Sequence, residues 1–137
     1  MRSIIIKGRE YEVAILNREN IMDSLTEFEK DYVACMLFAD LPKKHHLMFS
    51  FNDLAPCALA QCKEDCKAFQ EKAGDLILDS DLHPGHDFWL TRMGHGAGFW
   101  DGNYKPKKRG EKLTKIAEEF NGELSPYVGK NDLIYIF

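Results

Sequence analysis

Apolar residues at Ile21, Leu25, Phe28, Tyr32, Cys35 and Ala39 are separated by alternating steps of four and three, which places them on one helical stripe. The stripe predicts a helix ending before Leu41-Pro42, and Ser24 with Glu27 three residues later has the spacing of a capping box. A second stripe runs through Leu59, Cys62, Cys66, Phe69 and Ala73. Asp53 is the candidate cap of that helix, with Pro56 in its first turn, where amide hydrogens have no intrahelical partner to lose. A third stripe, Leu113, Ile116, Ala117 and Phe120, lies within Gly110 to Asn121 and meets Gly122, a natural C-terminal stop. Between the first two helices, Pro42 to Phe51 follows neither the helical nor the strand period and reads as a connector.

The remaining segments favour strands. Ile4 to Leu16 alternates loosely around Lys7-Gly8-Arg9-Glu10, as two short strands around a polar turn would, although its second run also fits the approach to a helix. His86 to Arg92 is aromatic and β-favouring, Met93 to Gly98 is punctuated by glycine, and Phe99-Trp100 resumes the aromatic character, which predicts a β-hairpin with a wide tip. Pro126-Tyr127-Val128 and Leu133 to Phe137, separated by Gly129-Lys130-Asn131-Asp132, predict a terminal strand pair. The expected fold is therefore α+β: three amphipathic helices packed on a small, mainly antiparallel sheet made of the central hairpin and the terminal pair, with the N-terminal hairpin at an edge. No repeat or linker interrupts the chain, so residues 1–137 read as a single domain.

Composition narrows the function classes. With 137 residues, 45% of them hydrophobic, the chain carries enough apolar surface for one core. Its net charge of -4 comes from 22 acidic and 18 basic residues mixed along the chain, which argues against a DNA mimic and against a broadly basic nucleic-acid coat. The first apolar run is too short for a signal peptide or membrane span, so the expected location is the cytoplasm, with no membrane partner. Cys35, Cys57, Cys62 and Cys66 then read as reduced thiols rather than a disulfide framework.

Candidate chemistry concentrates between His83 and Asp101. Rigid rings, alternate glycines and side chains of both charges crowd there, so Arg92, Gly94, His95, Gly96, Gly98, Trp100 and Asp101 form the candidate binding surface at the hairpin tip. His83, His86 and His95 with Asp87 and Asp101 supply the donor types of a site for zinc or another divalent ion with a position open for water. Their spacing matches no established metal motif. The simpler account has His86 and His95 bonding backbone at the two ends of the hairpin while Asp87 or Asp101 pairs with Arg92. Cys62 and Cys66 with His45 and His46 form another donor set, but both thiols lie on the core stripe and read as small hydrophobes, whereas Cys57 lies off it. Gly94, Gly96 and Gly98 fit either an anion-binding nest or a wide turn needing positive φ. Finally, Phe88, Trp89, Phe99, Trp100 and Tyr104 stand beside Lys105, Lys107, Lys108 and Arg109, the adjacency of rings and cations that single-stranded nucleic acid uses.

The stretch Gly85-His86-Asp87-Phe88-Trp89-Leu90-Thr91-Arg92, continued by Gly94-His95-Gly96-Ala97-Gly98-Phe99-Trp100-Asp101, resembles a signature of small uncharacterised proteins of bacteriophages and prophages. In that family the block follows a helix with an Asp-Cys pair like Asp65-Cys66 and precedes a helix like Gly110 to Phe120. The position of Met93 is usually Asn there, so this chain lacks that loop amide. The resemblance covers the C-terminal half and brings no activity with it. It implies a phage origin, and hence a small phage accessory protein that binds a host or phage macromolecule in the infected cell, of the host-takeover or anti-defence type. A metal-dependent hydrolase centred on His86, His95 and Asp101 is the alternative, and a nucleic-acid-binding protein the third reading.

Overall fold

Thr26 opens the first long helix, α1 (Glu27–Ala39). Its hydroxyl accepts from the Glu29 amide at 3.2 Å while the Glu29 carboxylate accepts from the Thr26 amide at 2.9 Å. The capping box therefore sits two residues beyond the expected Ser24 and Glu27 pair. Ser24 belongs to a preceding 3-10 turn, Met22–Ser24, and its hydroxyl donates to the Ile21 carbonyl instead. In this computed structural model the described residues are 3–6, 9–12, 21–78, 82–101, 103–120 and 124–136.

Helix α2 (Pro56–Ala73) begins at a proline and has no side-chain cap. Asp53 accepts from the Ser50 amide, closing the short 3-10 turn Phe51–Asp53 rather than capping α2. The entrance to α2 is held by the C-terminus of the chain, since the Ala55 amide donates to the Ile134 carbonyl at 2.9 Å. Between α1 and α2 the connector carries only 3-10 turns, as its aperiodic pattern predicts.

The largest departure from the sequence reading is α3 (Pro84–Arg92), a helix where a hairpin strand was expected. Its aromatic composition favours strands, yet Gly85, Phe88, Trp89 and Arg92 recur at i, i+3, i+4 and i+7, and all four are buried. Burial of that stripe against α1 outweighs the local preference. Gly85 permits the close crossing: a Cβ there would overlap the Phe28 carbonyl and stand 2.9 Å from the Tyr32 amide nitrogen. Met93 to Asp101 is consequently a glycine loop leaving a helix, not a tip between two strands.

Helix α4 (Lys107–Glu118) starts three residues before the expected Gly110 and buries Gly110, Leu113 and Ala117. Ile116 and Phe120 are half-buried against the same core. The expected stop at Gly122 lies outside the described residues. Two antiparallel strand pairs complete the fold. At the C-terminus, β3 (Tyr127–Val128) pairs with β4 (Ile134–Tyr135) across the expected turn, with Asp132 at φ 62°. At the N-terminus, β1 (Ser3–Ile6) pairs with β2 (Arg9–Glu12), in register Ser3 with Glu12 and Ile6 with Arg9; the rest of the second run, Val13 to Leu16, lies outside the described residues. The protein is thus α+β and mostly helical; among the described residues there are four α-helices instead of three, and no central hairpin. Among the described residues no helix is long and apolar enough to cross a membrane.

Cys62, Cys66 and Phe69 are fully buried on the expected stripe of α2, with Leu59 partly buried beside them. Burial pushes the Cys62 and Cys35 thiols up to about 12, and raises Cys66 as well, so none of the three is a reactive thiolate at neutral pH. Only Cys57 is exposed. Titration of the native chain with a disulfide-exchange reagent should therefore show fast reaction of Cys57 alone among the four cysteines, with the others reacting after denaturation. Fast reaction of two or more in the folded protein would contradict this packing.

Candidate binding surface

Two sets of side chains fix the glycine loop to the helices. Arg92, at the end of α3, is buried to 6% exposure and donates to the Asp65 carboxylate at 2.8 Å, the Tyr32 hydroxyl at 3.0 Å and the Phe120 carbonyl. Gln61 donates to the other Asp65 oxygen. These bonds join α1, α2, α3 and the end of α4 through one guanidinium, whose planar fork suits several acceptors at once. Arg92 is accordingly a member of the core and not of the surface to which its sequence position assigned it, and its ion partner is Asp65 rather than Asp87 or Asp101.

The second set holds the loop itself. At the end of α1, Asp40 Oδ2 accepts from Trp89 Nε1 at 2.5 Å and faces His95 Nε2 at 2.9 Å, so one carboxylate ties a buried indole to the loop imidazole. Thr91 Oγ1 accepts from the Phe99 amide, and Asp101 accepts from the Gly98 amide at 3.0 Å. Gly94 has φ 74° and Gly98 φ 149°, and a Cβ on Gly98 would overlap Thr91 Oγ1. Gly96 has open space around it and an ordinary φ. The positive-φ reading of the glycines thus holds at two of the three positions, although they turn a helix into a loop instead of joining strands.

Asp87 accepts from the Tyr104 hydroxyl at 2.7 Å. Burial raises its carboxyl above the usual range, Tyr104 partly opposes this, and the neighbouring Asp101 adds to it. A raised carboxyl binds its proton more tightly in the folded than in the unfolded chain, so its contribution is present at low pH and is lost as pH rises through the folded-state pKa. Asp87→Asn keeps an oxygen for Tyr104 and removes the half-buried charge. The variant should melt at higher temperature than wild type at neutral pH, and the gain should vanish below about pH 3, where wild-type Asp87 is protonated in both states. Thermal unfolding at the two pH values checks this; a lower melting temperature for the variant at neutral pH would contradict it.

Most of the expected metal ligands have other partners. His83 Nδ1 lies 3.2 Å from Asp31, His95 faces Asp40 and Asp101 caps the Gly98 amide. His86 is exposed, its ring 6.1 Å from that of His83. Among the described residues no group of three or more His, Cys, Asp or Glu side chains converges on a common point. Cys62, Cys66, His45 and His46 form no such group either; both thiols are buried and His46 Nε2 bonds the Leu41 carbonyl. The expectation that His95 would bond backbone is replaced by its carboxylate partner Asp40.

Nucleic-acid stacking loses most of its rings. Phe88, Trp89, Phe99 and Tyr104 are core residues, and Arg109 donates to the Leu76 carbonyl with its guanidinium 5.3 Å from the Tyr104 ring. Lys105, Lys107 and Lys108 remain exposed. So does Trp100, at 46%. A groove of about 380 Å³ runs beside it, lined by Phe99, Trp100, Tyr104, Lys105, Lys107, Gly110 and Glu111.

No family model, curated protein or solved structure matches the chain. The reading of this surface therefore rests on its own geometry. Within the signature block, Gly85, Asp87, Phe88, Trp89, Thr91, Arg92, Gly98, Phe99 and Asp101 have partners or close neighbours inside the fold. Trp100 is the large apolar residue of the block that faces solvent. Asp40, Asp65 and Tyr32 position the block from at least 27 residues away, so no local pattern in the sequence pairs them with it.

Proposed function

We propose that this chain is a small phage-encoded accessory protein that acts by binding a host or phage macromolecule, in the host-takeover or anti-defence manner, inside the infected bacterial cell. The contact surface is the solvent side of the glycine loop, with Trp100 as its anchor and His95, Gly96 and Lys105 around it. The observation that carries the reading is the exposure of Trp100 on a loop where the neighbouring ring, Phe99, is buried and the backbone is held by Asp101 and Thr91. A rigid, solvent-facing indole beside a groove loses little freedom on binding, and such side chains dominate protein interfaces. The phage assignment is supported by the resemblance of the Gly85 to Asp101 block.

Affinity capture from host and infected-cell lysates with wild-type and Trp100→Ala chains tests the reading. A partner held by wild type and reduced at least about tenfold by the variant, at unchanged melting temperature, is the expected result for a truncated interface anchor. Identical captured sets would overturn it.

A further inference from the structure

The strongest unassigned feature lies away from the signature block, on the second face of α1 and the connector that follows it. Phe38 is 81% exposed, Leu47 fully exposed and Met48 78% exposed. They belong to one patch: the Phe38 ring is 6.4 Å from the His46 ring, His46 immediately precedes Leu47 and Met48, and the Met48 amide bonds the His45 carbonyl. Beside them a groove of about 270 Å³ is lined by Leu37, Phe38, Leu41, His46, Phe49 and Phe51, among others. A soluble chain rarely leaves contiguous apolar surface of this kind uncovered unless something binds there.

The geometry indicates the shape of the occupant. Ala34, Leu37 and Phe38 recur at i, i+3 and i+4, so α1 carries a short second apolar stripe besides the core stripe of Phe28, Tyr32 and Cys35, and Leu41 continues the groove just beyond the helix end. A helix with such a stripe and an adjoining groove receives the ridge of another helix. Charge indicates the chemistry. Lys43 and Lys44 are exposed on the 3-10 turn between Phe38 and Leu47, with His45 next to them. A two-fold pairing of copies would bring these cations toward one another, which disfavours self-association. A bilayer would accept a protruding loop but has no ridge to fill a groove.

We infer that this face docks an acidic amphipathic helix of a partner protein. Its apolar side enters the groove of Leu37, Phe38, Leu41 and Phe49, and its carboxylates meet Lys43 and Lys44. This surface is independent of the Trp100 surface, and each stands or falls alone.

The test uses a fluorescein-labelled peptide of about 18 residues, five helical turns, with Leu at i, i+3, i+4 and i+7 and Glu on the flanks. A control peptide carries Lys in place of each Glu. Fluorescence anisotropy should show the acidic peptide binding at least about tenfold more tightly than the basic one. Leu47→Ala with Phe38→Ala should abolish binding at unchanged melting temperature, because both side chains are exposed, and Lys43→Glu with Lys44→Glu should invert the peptide preference. Equal binding of both peptides, or none, would overturn the inference. So would sedimentation of the wild-type chain as a dimer that Leu47→Ala returns to monomer, or co-sedimentation of the chain with vesicles of anionic lipid.

Discussion

Replacing Arg92 by Ala should destabilise the protein by about 3–5 kcal/mol, the range found when one partner of a buried ion pair is removed. The guanidinium is 6% exposed, and its acceptors come from three different parts of the chain: Tyr32 on α1, Asp65 on α2 and the Phe120 carbonyl beyond α4. Among the described residues, its removal leaves the Asp65 carboxylate with Gln61 and takes from the Phe120 carbonyl the donor it has. It also removes a cation lying 5.7 Å and 5.8 Å from the Phe88 and Phe120 rings. Arg92→Lys should lose less, since the charge survives while a single ammonium cannot serve three directions as a planar fork does. Chemical denaturation of both variants checks the order. A loss below about 1 kcal/mol for Arg92→Ala would place it among exposed ion pairs and contradict the buried network.

Phe69→Ala should be comparably severe, at about 3–5 kcal/mol. The Phe69 ring is the centre of the aromatic core: it stacks on Phe88 at 4.2 Å, on Phe99 at 5.5 Å and on Phe28 at 5.9 Å, and meets Phe120 edge-on at 6.2 Å. A cavity there cannot close without moving α1, α3 and the glycine loop together, so little relaxation offsets the lost contacts. Phe120 is only half-buried at the edge of the same cluster, and its truncation should cost less. Unfolding midpoints for the two variants separate the cases, and equal losses would mean that the ring cluster has no centre at Phe69.

What the sequence disclosed follows from which interactions are local. The stripes of α1, α2 and α4 were legible because apolar residues at steps of three and four leave few alternatives, and the terminal strand pair was marked by its turn. Helix α3 was not legible because three of its five buried residues, Gly85, Thr91 and Arg92, do not register as apolar, while Phe88 and Trp89 favour strands. Only the contact with α1 decides between the two states. The capping of α1 shifted from Ser24 to Thr26 for a local reason, the extended backbone of Thr26 at ψ 167° that turns its hydroxyl onto the Glu29 amide. The positions of the candidate residues were legible in part. That chemistry would crowd into residues 83–101 was readable, but the division between frame and surface was not. It depends on Asp40, 49 residues from Trp89 and 55 from His95, and on Asp65, 27 residues from Arg92. Nothing local distinguishes the buried indole of Trp89 from the exposed one of Trp100.

We propose that the block Gly85 to Asp101 is a frame that presents Trp100 to a partner. Its most direct test is the yield of captured partner per folded molecule for Trp100→Ala beside wild type, with each chain's folded fraction taken from its own thermal unfolding curve. Trp100→Ala should keep a wild-type melting curve and show a capture yield reduced at least about tenfold. A Trp100→Ala chain that captures as wild type does, or that loses capture only in proportion to lost fold, would contradict it.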